Sequence, residues 1–308
     1  MATEPEVVPS PGIVPAEESE TGRPSGFLHD AVRRFVRNRW AVAGLVVVLA
    51  LVVMALLAPE LAPKNPDVSY PSAINALGQA IGPSAGFPLG ADEMGRDVLS
   101  RIIWGSRVSL EVGFLATFLT MFIGVVLGLA AAYFGRWVDL VVMRLTDVML
   151  AFPYLLFVIV VVSVLRPSVG IIIAVIGILG WAPICRIARS QALSTVRNEY
   201  IEGARAMGAS HTRIMFRHLL PNVLAPIIVY SFLMVGANIL TEAALAYLGL
   251  GAPPPTPDWG SMVSEGQTYM QTMPWLFFYP GLAIAVTVVS FNMVGDGLNE
   301  ALNPRTNY

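Results

Sequence analysis

Lysine and cysteine each occur once in this chain, histidine three times, and only 13% of the residues are charged. The single cysteine, Cys185, excludes an intramolecular disulfide and a cysteine-based metal centre; its apolar surroundings mark it as a small buried hydrophobe. The single lysine, Lys64, stands between Pro63 and Asn65, so the Gly-Lys-Ser/Thr end of a phosphate-binding P-loop cannot be built. The histidines, His29, His211 and His218, form no His-Glu-x-x-His pair, and no serine-hydrolase elbow is read. No residue is assigned to catalysis or to a metal. A net charge of −2 gives nothing that would draw nucleic acid.

What the chain has in excess is apolar surface, with 55% hydrophobic residues and a mean hydropathy of +0.66. A soluble domain of this length could not wet such a surface, so the solvent is lipid. A helix needs about 20 mostly apolar residues to cross the hydrocarbon. Uncharged runs of that length are Trp40–Pro59, Val112–Gly135, Val148–Leu165 (starting as early as Asp139), Pro167–Cys185, Leu219–Thr241 (continuing to Tyr247), and a run within Gly266–Val294 that begins near Trp275. The expected fold is all-α with six membrane-spanning helices, since closed backbone hydrogen bonding in lipid leaves only helices or a barrel.

Arginine and lysine set the orientation. With a cytoplasmic N-terminus, 14 of the 19 basic residues fall inside; Lys64, Arg96, Arg101, Arg107 and Arg166 fall outside. Both termini are then cytoplasmic. Residues 1–25 are rich in Pro, Glu and Ser and are expected to be disordered, with no cleavable signal peptide. The chain divides into an N-terminal tail (1–38), a first span with its external loop (39–106), a core of further spans (107–302) and a C-terminal tail (303–308). Within the external loop, Met94–Gly105 places Val98, Leu99, Ile102 and Ile103 on one face and Arg96 and Arg101 away from it, the pattern of an interfacial helix lying on the membrane.

The cytoplasmic stretch 186–218 is far longer than a helix connection needs and holds six arginines. It reads as two short helices: Glu199–Met207 capped by Asn198, and His211–His218 capped by Ser210, with Gly208 as the left-handed stop between them and Pro221 opening the fifth span. Two short helices hinged at a glycine make a projecting knob. Its residues Glu202-Gly203-Ala204, then Gly208, His218 and Leu220-Pro221 keep the spacing of the EAA loop and so resemble ABC importer permeases. Gly203 stands where that motif has Ala, and His218 where it has Ile.

The resemblance covers roughly 87–306. Pro88–Asp97, Gly105–Leu110, Arg144–Asp147 with Phe152-Pro153, Glu242–Gly251 and Asn292–Asp296 look like the C-type permease of dipeptide, oligopeptide and nickel importers. It implies a type I importer fold in a bacterial plasma membrane. It also implies that Glu202, Ala204 and Gly208 dock on a separate ATPase, with the surrounding arginines giving complementary charge. The implied partners are a second homologous permease, two ATP-binding subunits carrying the ATP and Mg, and an extracytoplasmic substrate-binding protein. This chain is itself non-catalytic and binds no cofactor. The implied cargo is a peptide, with nickel chelates or glutathione as alternatives. An ATP-independent transporter or channel is the rival, and Glu242 is its one candidate relay residue.

Polar residues in the spans complete the expectations. Glu242 is either a pathway or gate residue or a structural carboxylate bonded to Asn238 one turn earlier. Asp147 pairs with Arg144 or else serves transport, Pro153 kinks or loosens the third span, and Asp296 either belongs to the inner surface near the ATPases or is a solvated helix end. Gly124, Gly128, Gly135, Gly177 and Gly180 allow close helix approach.

Overall fold

The computed structural model describes residues 27–76 and 78–302. The segment 1–25 and the tail 303–308 lie outside them. Among the described residues five helices are long and apolar enough to cross a membrane, six if the bent pair Arg136–Ala151 and Tyr154–Leu165 counts as one span. Strand geometry among the described residues is confined to three isolated bridges, all in the external loop.

The helices in chain order are α1 (Phe27–Arg37), α2 (Arg39–Leu56), α3 (Ala58–Leu61), α4 (Val98–Phe134), α5 (Arg136–Ala151), α6 (Tyr154–Leu165), α7 (Val169–Leu179), α8 (Trp181–Val196), α9 (Glu199–Ala206), α10 (His211–Ile214), α11 (Leu220–Tyr247), α12 (Trp259–Thr268) and α13 (Trp275–Leu302). At the centre runs α4, packed on α7, α8 and α11, while α13 lies between α2 and α11. Lipid offers no hydrophobic drive between helices, so close contact has to come from small residues. Gly124 and Gly128 supply it. A Cβ on Gly124 would sit 2.6 Å from Ile184, and one on Gly128 would sit 2.7 Å from the Cys185 carbonyl oxygen. Cys185 is buried, as its surroundings suggested.

Several boundaries differ from the sequence expectation, each for a visible reason. The tail drawn as 1–38 contains α1, whose Ala31 is buried. Helix α4 begins at Val98, so the boundary at 106 falls inside one continuous helix. No separate interfacial helix forms: Val98 and Ile102 bury against Trp259, Met262 and Leu276 instead of lipid. At 37 residues α4 is about 55 Å long, well beyond the ~30 Å hydrocarbon layer, and its N-terminal end belongs to a cap packed on α12 and α13. Arg96 and Arg101, expected to face water, are 8% and 2% exposed.

The third span kinks at Pro153, as expected. It breaks into α5 and α6, bent by 86°, because proline lacks the donor and pushes the preceding Phe152 out of helical geometry (ψ 140°). The fourth span continues through Cys185 to Val196. The fifth starts at His211, since α10 runs through a π-helical turn, Met215–Leu219, into α11 without a gap. Pro221 therefore sits inside this helix. The wider turn accommodates its missing N–H, and Asn222 Nδ2 donates to the His218 carbonyl oxygen at 2.6 Å.

Candidate functional site

The knob between α8 and α11 is built as the spacing suggested, with differences in detail. Glu199 and Glu202 occupy the first turn of α9, where the helix dipole favours negative charge. Asn198 holds the N-cap position, but its side chain makes no capping bond. At the other end Gly208 has φ +78°. The Ala209 N–H donates to the Ala204 carbonyl and the Gly208 N–H to the Arg205 carbonyl, both at 3.0 Å, forming a Schellman stop. Ser210 Oγ then caps α10 by accepting from the Arg213 N–H at 3.3 Å.

Packing makes this knob rigid with the spans. Ile201, Ile214 and Leu219 are fully buried against Leu129 and Ala132 of α4, Ala188 and Ala192 of α8, and Val223 and Ile227 of α11. Tyr133, near the inner end of α4, binds it twice more. Its hydroxyl is 2.7 Å from His211 Nδ1, and its ring lies 4.9 Å beneath the Arg205 guanidinium. His218, in place of the motif's Ile, is half-buried with its ring 6.2 Å from that of Tyr200.

The motif residues thus divide into two sets. Glu202, Gly203, Gly208 and Pro221 are exposed, and Leu220 is half-buried. Ala204, expected at the docking surface, is 7% exposed and turns into the apolar cluster, so it shapes the knob from within. Met207, which the sequence reading passed over, is the most exposed large apolar side chain among the described residues at 85%. Its signal was legible as an apolar residue just before the stop glycine. Not all nearby arginines are free to meet a partner either. Arg189 makes a bidentate pair with Asp139, its Nη2 donating to Oδ2 at 2.6 Å. Arg186 donates to Asp147 Oδ1 at 2.5 Å. These brace α5 to α8, and the expected Arg144 contact with Asp147 is the looser one, at 3.9 Å. Asp296 is exposed on α13.

A second feature lies where the broken span meets α8 and α11. A cavity of about 480 Å³ is lined by Met149, Phe152 and Tyr154 at the α5–α6 break, by Gly180 and Pro183 at the α7–α8 junction, and by Tyr230, Met234, Asn238 and Thr241 of α11, among others. Its wall carries hydroxyl and amide groups but no charge. Asn238 is oriented by donating to Thr117 Oγ1 at 2.9 Å. Glu242 does not reach this wall and is not bonded to Asn238. It is fully buried one turn outward and accepts from Ser109 Oγ at 3.0 Å.

The cap at the N-terminal end of α4 is what sequence reasoning missed. Asp92 accepts from Arg96 Nε at 2.6 Å, and Arg101 Nε lies 3.5 Å from the same carboxylate. Glu265 of α12 stands 3.6 Å from Arg96 and 3.9 Å from Arg101. Asp97 caps α4, and Asp258, also fully buried, caps α12 by accepting from the Ser261 N–H at 2.7 Å. Burial pushes the Asp258 carboxyl up from its usual range, against the Ser261 and Gly260 hydrogen bonds and the Arg101 charge, which pull it down. Two indole N–H groups close the cap: Trp259 donates to the Ile102 carbonyl at 3.0 Å and Trp275 to the Ala91 carbonyl at 3.1 Å.

One spacing runs against the sequence reading. Gly82-Pro83-Ser84-Ala85-Gly86 does match Gly-x-Ser-x-Gly. Ser84, however, is exposed in a tight turn closed by reciprocal Ser84–Phe87 backbone bonds, not on a strand-to-helix elbow. No histidine bonds it; His211 and His218 lie in the knob. Among the described residues no cluster of three His, Cys, Asp or Glu side chains could hold a metal.

Comparison with known proteins converges on one family. Residues 26–78 match the N-terminal TM domain of oligopeptide transport permease C. The dipeptide transport system permease protein DppC of Alkalihalophilus pseudofirmus is 40% identical over 301 residues, 98% of this chain and 97% of that protein. The glutathione transport system permease protein GsiD of Pectobacterium atrosepticum is 39% identical, over 89% of each chain. In fold, the chain is similar to one solved in inward-facing conformations of the MetNI methionine ABC transporter, with a TM-score of 0.52 and 19% identity over 66% of this chain and 96% of that one. Residues 124–308 match the binding-protein-dependent transport system inner membrane component, and the chain belongs to that family.

Proposed function

We propose that this chain is the peptide-conducting permease subunit of an ATP-driven importer, forming half of the pathway and supplying none of the energy. The observation that carries this is the knob. Its exposed surface (Glu202, Gly203, Met207 and Gly208) is built on residues packed without a gap into the inner ends of α4, α8 and α11. A force applied there moves three spans together, which is what coupling to a separate motor requires. The motor is a pair of ATP-binding subunits holding ATP and Mg, gripping the knob from the cytoplasm, where both termini also lie in a bacterial plasma membrane.

The pathway assigned to this chain is the uncharged cavity at the α5–α6 break. It abuts a second, homologous permease that closes the other half. A mostly apolar wall, with a few hydroxyl and amide groups and no charge, suits a peptide in transit, because it holds neither terminus by charge and releases what it receives. Selection rests with an external binding protein. Peptide is favoured over nickel chelates because the similar permeases are named for dipeptide and glutathione transport. Glutathione, itself a small peptide, fits the same wall.

The test is a cross-link. A Met207→Cys variant in the assembled complex is expected to join to an ATP-binding chain, with the buried Cys185 giving little background. A cysteine at Ala204 should react poorly in the folded complex. If Met207→Cys stays free in a complex that is actively importing, the knob is not the grip and the proposal fails.

A further inference from the structure

We infer that α1 is a binding site for anionic lipid headgroups, seated on the membrane surface at the inner end of the first span. Helix α1 has three faces. One, with Ala31 and Phe35, turns to α13: Ala31 is buried, and a Cβ on Gly297 would meet the Phe35 ring at 3.2 Å. A second is apolar yet open, with Val32 and Val36 both 62% exposed one turn apart. The third is basic: Arg33 and Arg37 are also one turn apart, Arg34 lies beside them, and Arg39 opens α2. All four arginines are exposed, and none forms an ion pair among the described residues.

This is no loose tail. Asn38 joins the two helices, its Oδ1 accepting from the Trp40 and Ala41 N–H groups at 3.0 Å each, while its Nδ2 donates to Glu300 Oε2 of α13 at 2.8 Å. That clamp fixes α1 at one level of the bundle. The occupant follows from continuity and charge. The open stripe Val32–Val36 runs on to Trp40, 71% exposed, and from there to Val46, Leu49 and Val53 on the outward face of α2, which is the face a spanning helix shows to lipid. A tryptophan at that junction sits where aromatic residues anchor helices at the interface. An apolar stripe flanked by exposed arginines matches acyl chains below and phosphate headgroups beside them. Asp30 shares the basic side and leaves it net positive.

The experiment uses the full chain in nanodiscs of phosphatidylcholine, alone or mixed with phosphatidylglycerol. A fluorophore at Val36→Cys reports quenching by acyl-brominated lipid, and native mass spectrometry reports retained phosphatidylglycerol. The label should be quenched, and more strongly in the mixed bilayer. The variant Arg33→Gln, Arg34→Gln, Arg37→Gln, Arg39→Gln should lose phosphatidylglycerol, roughly fivefold in retention per arginine removed. The pair Arg33→Gln, Arg37→Gln, which leaves the apolar stripe intact, should fall between. A label quenched from water and not from lipid, or retention indifferent to the arginines, overturns the assignment and gives this face to a protein partner.

Discussion

The two ends of this bundle are held by opposite chemistry. The inner knob is fixed by apolar burial of Ile201, Ile214 and Leu219 and by ring contacts on Tyr133, while its charged side chains stay largely in water. At the outer end Arg101, Asp97, Asp258 and Glu242 are buried, and two indole N–H groups tie backbone segments together. The reason lies in what each end must do. A surface that a partner grips has to leave its polar groups available. A closed cap carries its charges inside, where each depends on a neighbour and loss of one is costly. The knob should therefore tolerate charge substitution, and the cap's Arg96–Arg101 ion-pair cluster should not.

The sharpest break of this contrast is Arg101→Met against Arg217→Met. Arg101 is 2% exposed among Asp92, Glu265 and the Pro66 carbonyl, so its loss leaves buried carboxylates uncompensated. Denaturation of the chain in micelles should show a loss of about 3 kcal/mol, the low end for removing one partner of a buried pair because Arg96 remains on Asp92. The exposed Arg217 should cost less than about 0.5 kcal/mol. Equal losses at the two sites would remove the distinction between the ends.

The same contrast explains what the sequence could and could not reveal. The first helix of the knob and its stop were legible because their signals are local (a stop glycine, a serine cap, a fixed motif spacing), whereas the merging of α10 into α11 and the inward turn of Ala204 were not. The spans were legible from apolar runs, but their ends were not, since α4 and α8 continue as helices past the last lipid-facing residue. The cap was illegible because its logic is non-local. Arg96 and Arg101 read as water-facing until Asp92 and, more than 160 residues later, Glu265 are brought beside them. Glu242 could be flagged as a buried carboxylate, yet Ser109 as its partner lies 133 residues away.

A smaller effect sharpens the outer half. Asp258 is an acid whose folded-state pKa is raised, chiefly by burial, with Arg101 and the Glu242 carboxylate facing it. A raised acid favours the protonated folded form. Its stabilising contribution is fully present below the unfolded value of about 4 and is lost as pH rises through the folded value. Asparagine keeps the helix cap without the charge. Asp258→Asn should be more stable than the parent at neutral pH, with the difference shrinking as pH falls toward about 4 in thermal melts. A constant difference across that range would mean that folding leaves the Asp258 pKa where it is in the unfolded chain.

The smallest change bears on the knob alone. Gly203 stands where the motif has alanine, and a Cβ built there meets nothing within 4 Å. Within α9 a glycine costs roughly 0.5–1 kcal/mol relative to alanine, through backbone entropy. Gly203→Ala should therefore slow amide exchange across α9 by up to about fivefold, with thermal stability of the bundle and peptide uptake unchanged. The space that admits the methyl group is measured on this chain alone, so uptake is the discriminating readout. Should uptake fall while α9 becomes more protected, a partner's backbone must come closer to Gly203 than a methyl group allows. The departure from the motif would then be a fitted contact, not a local loss of helix stability.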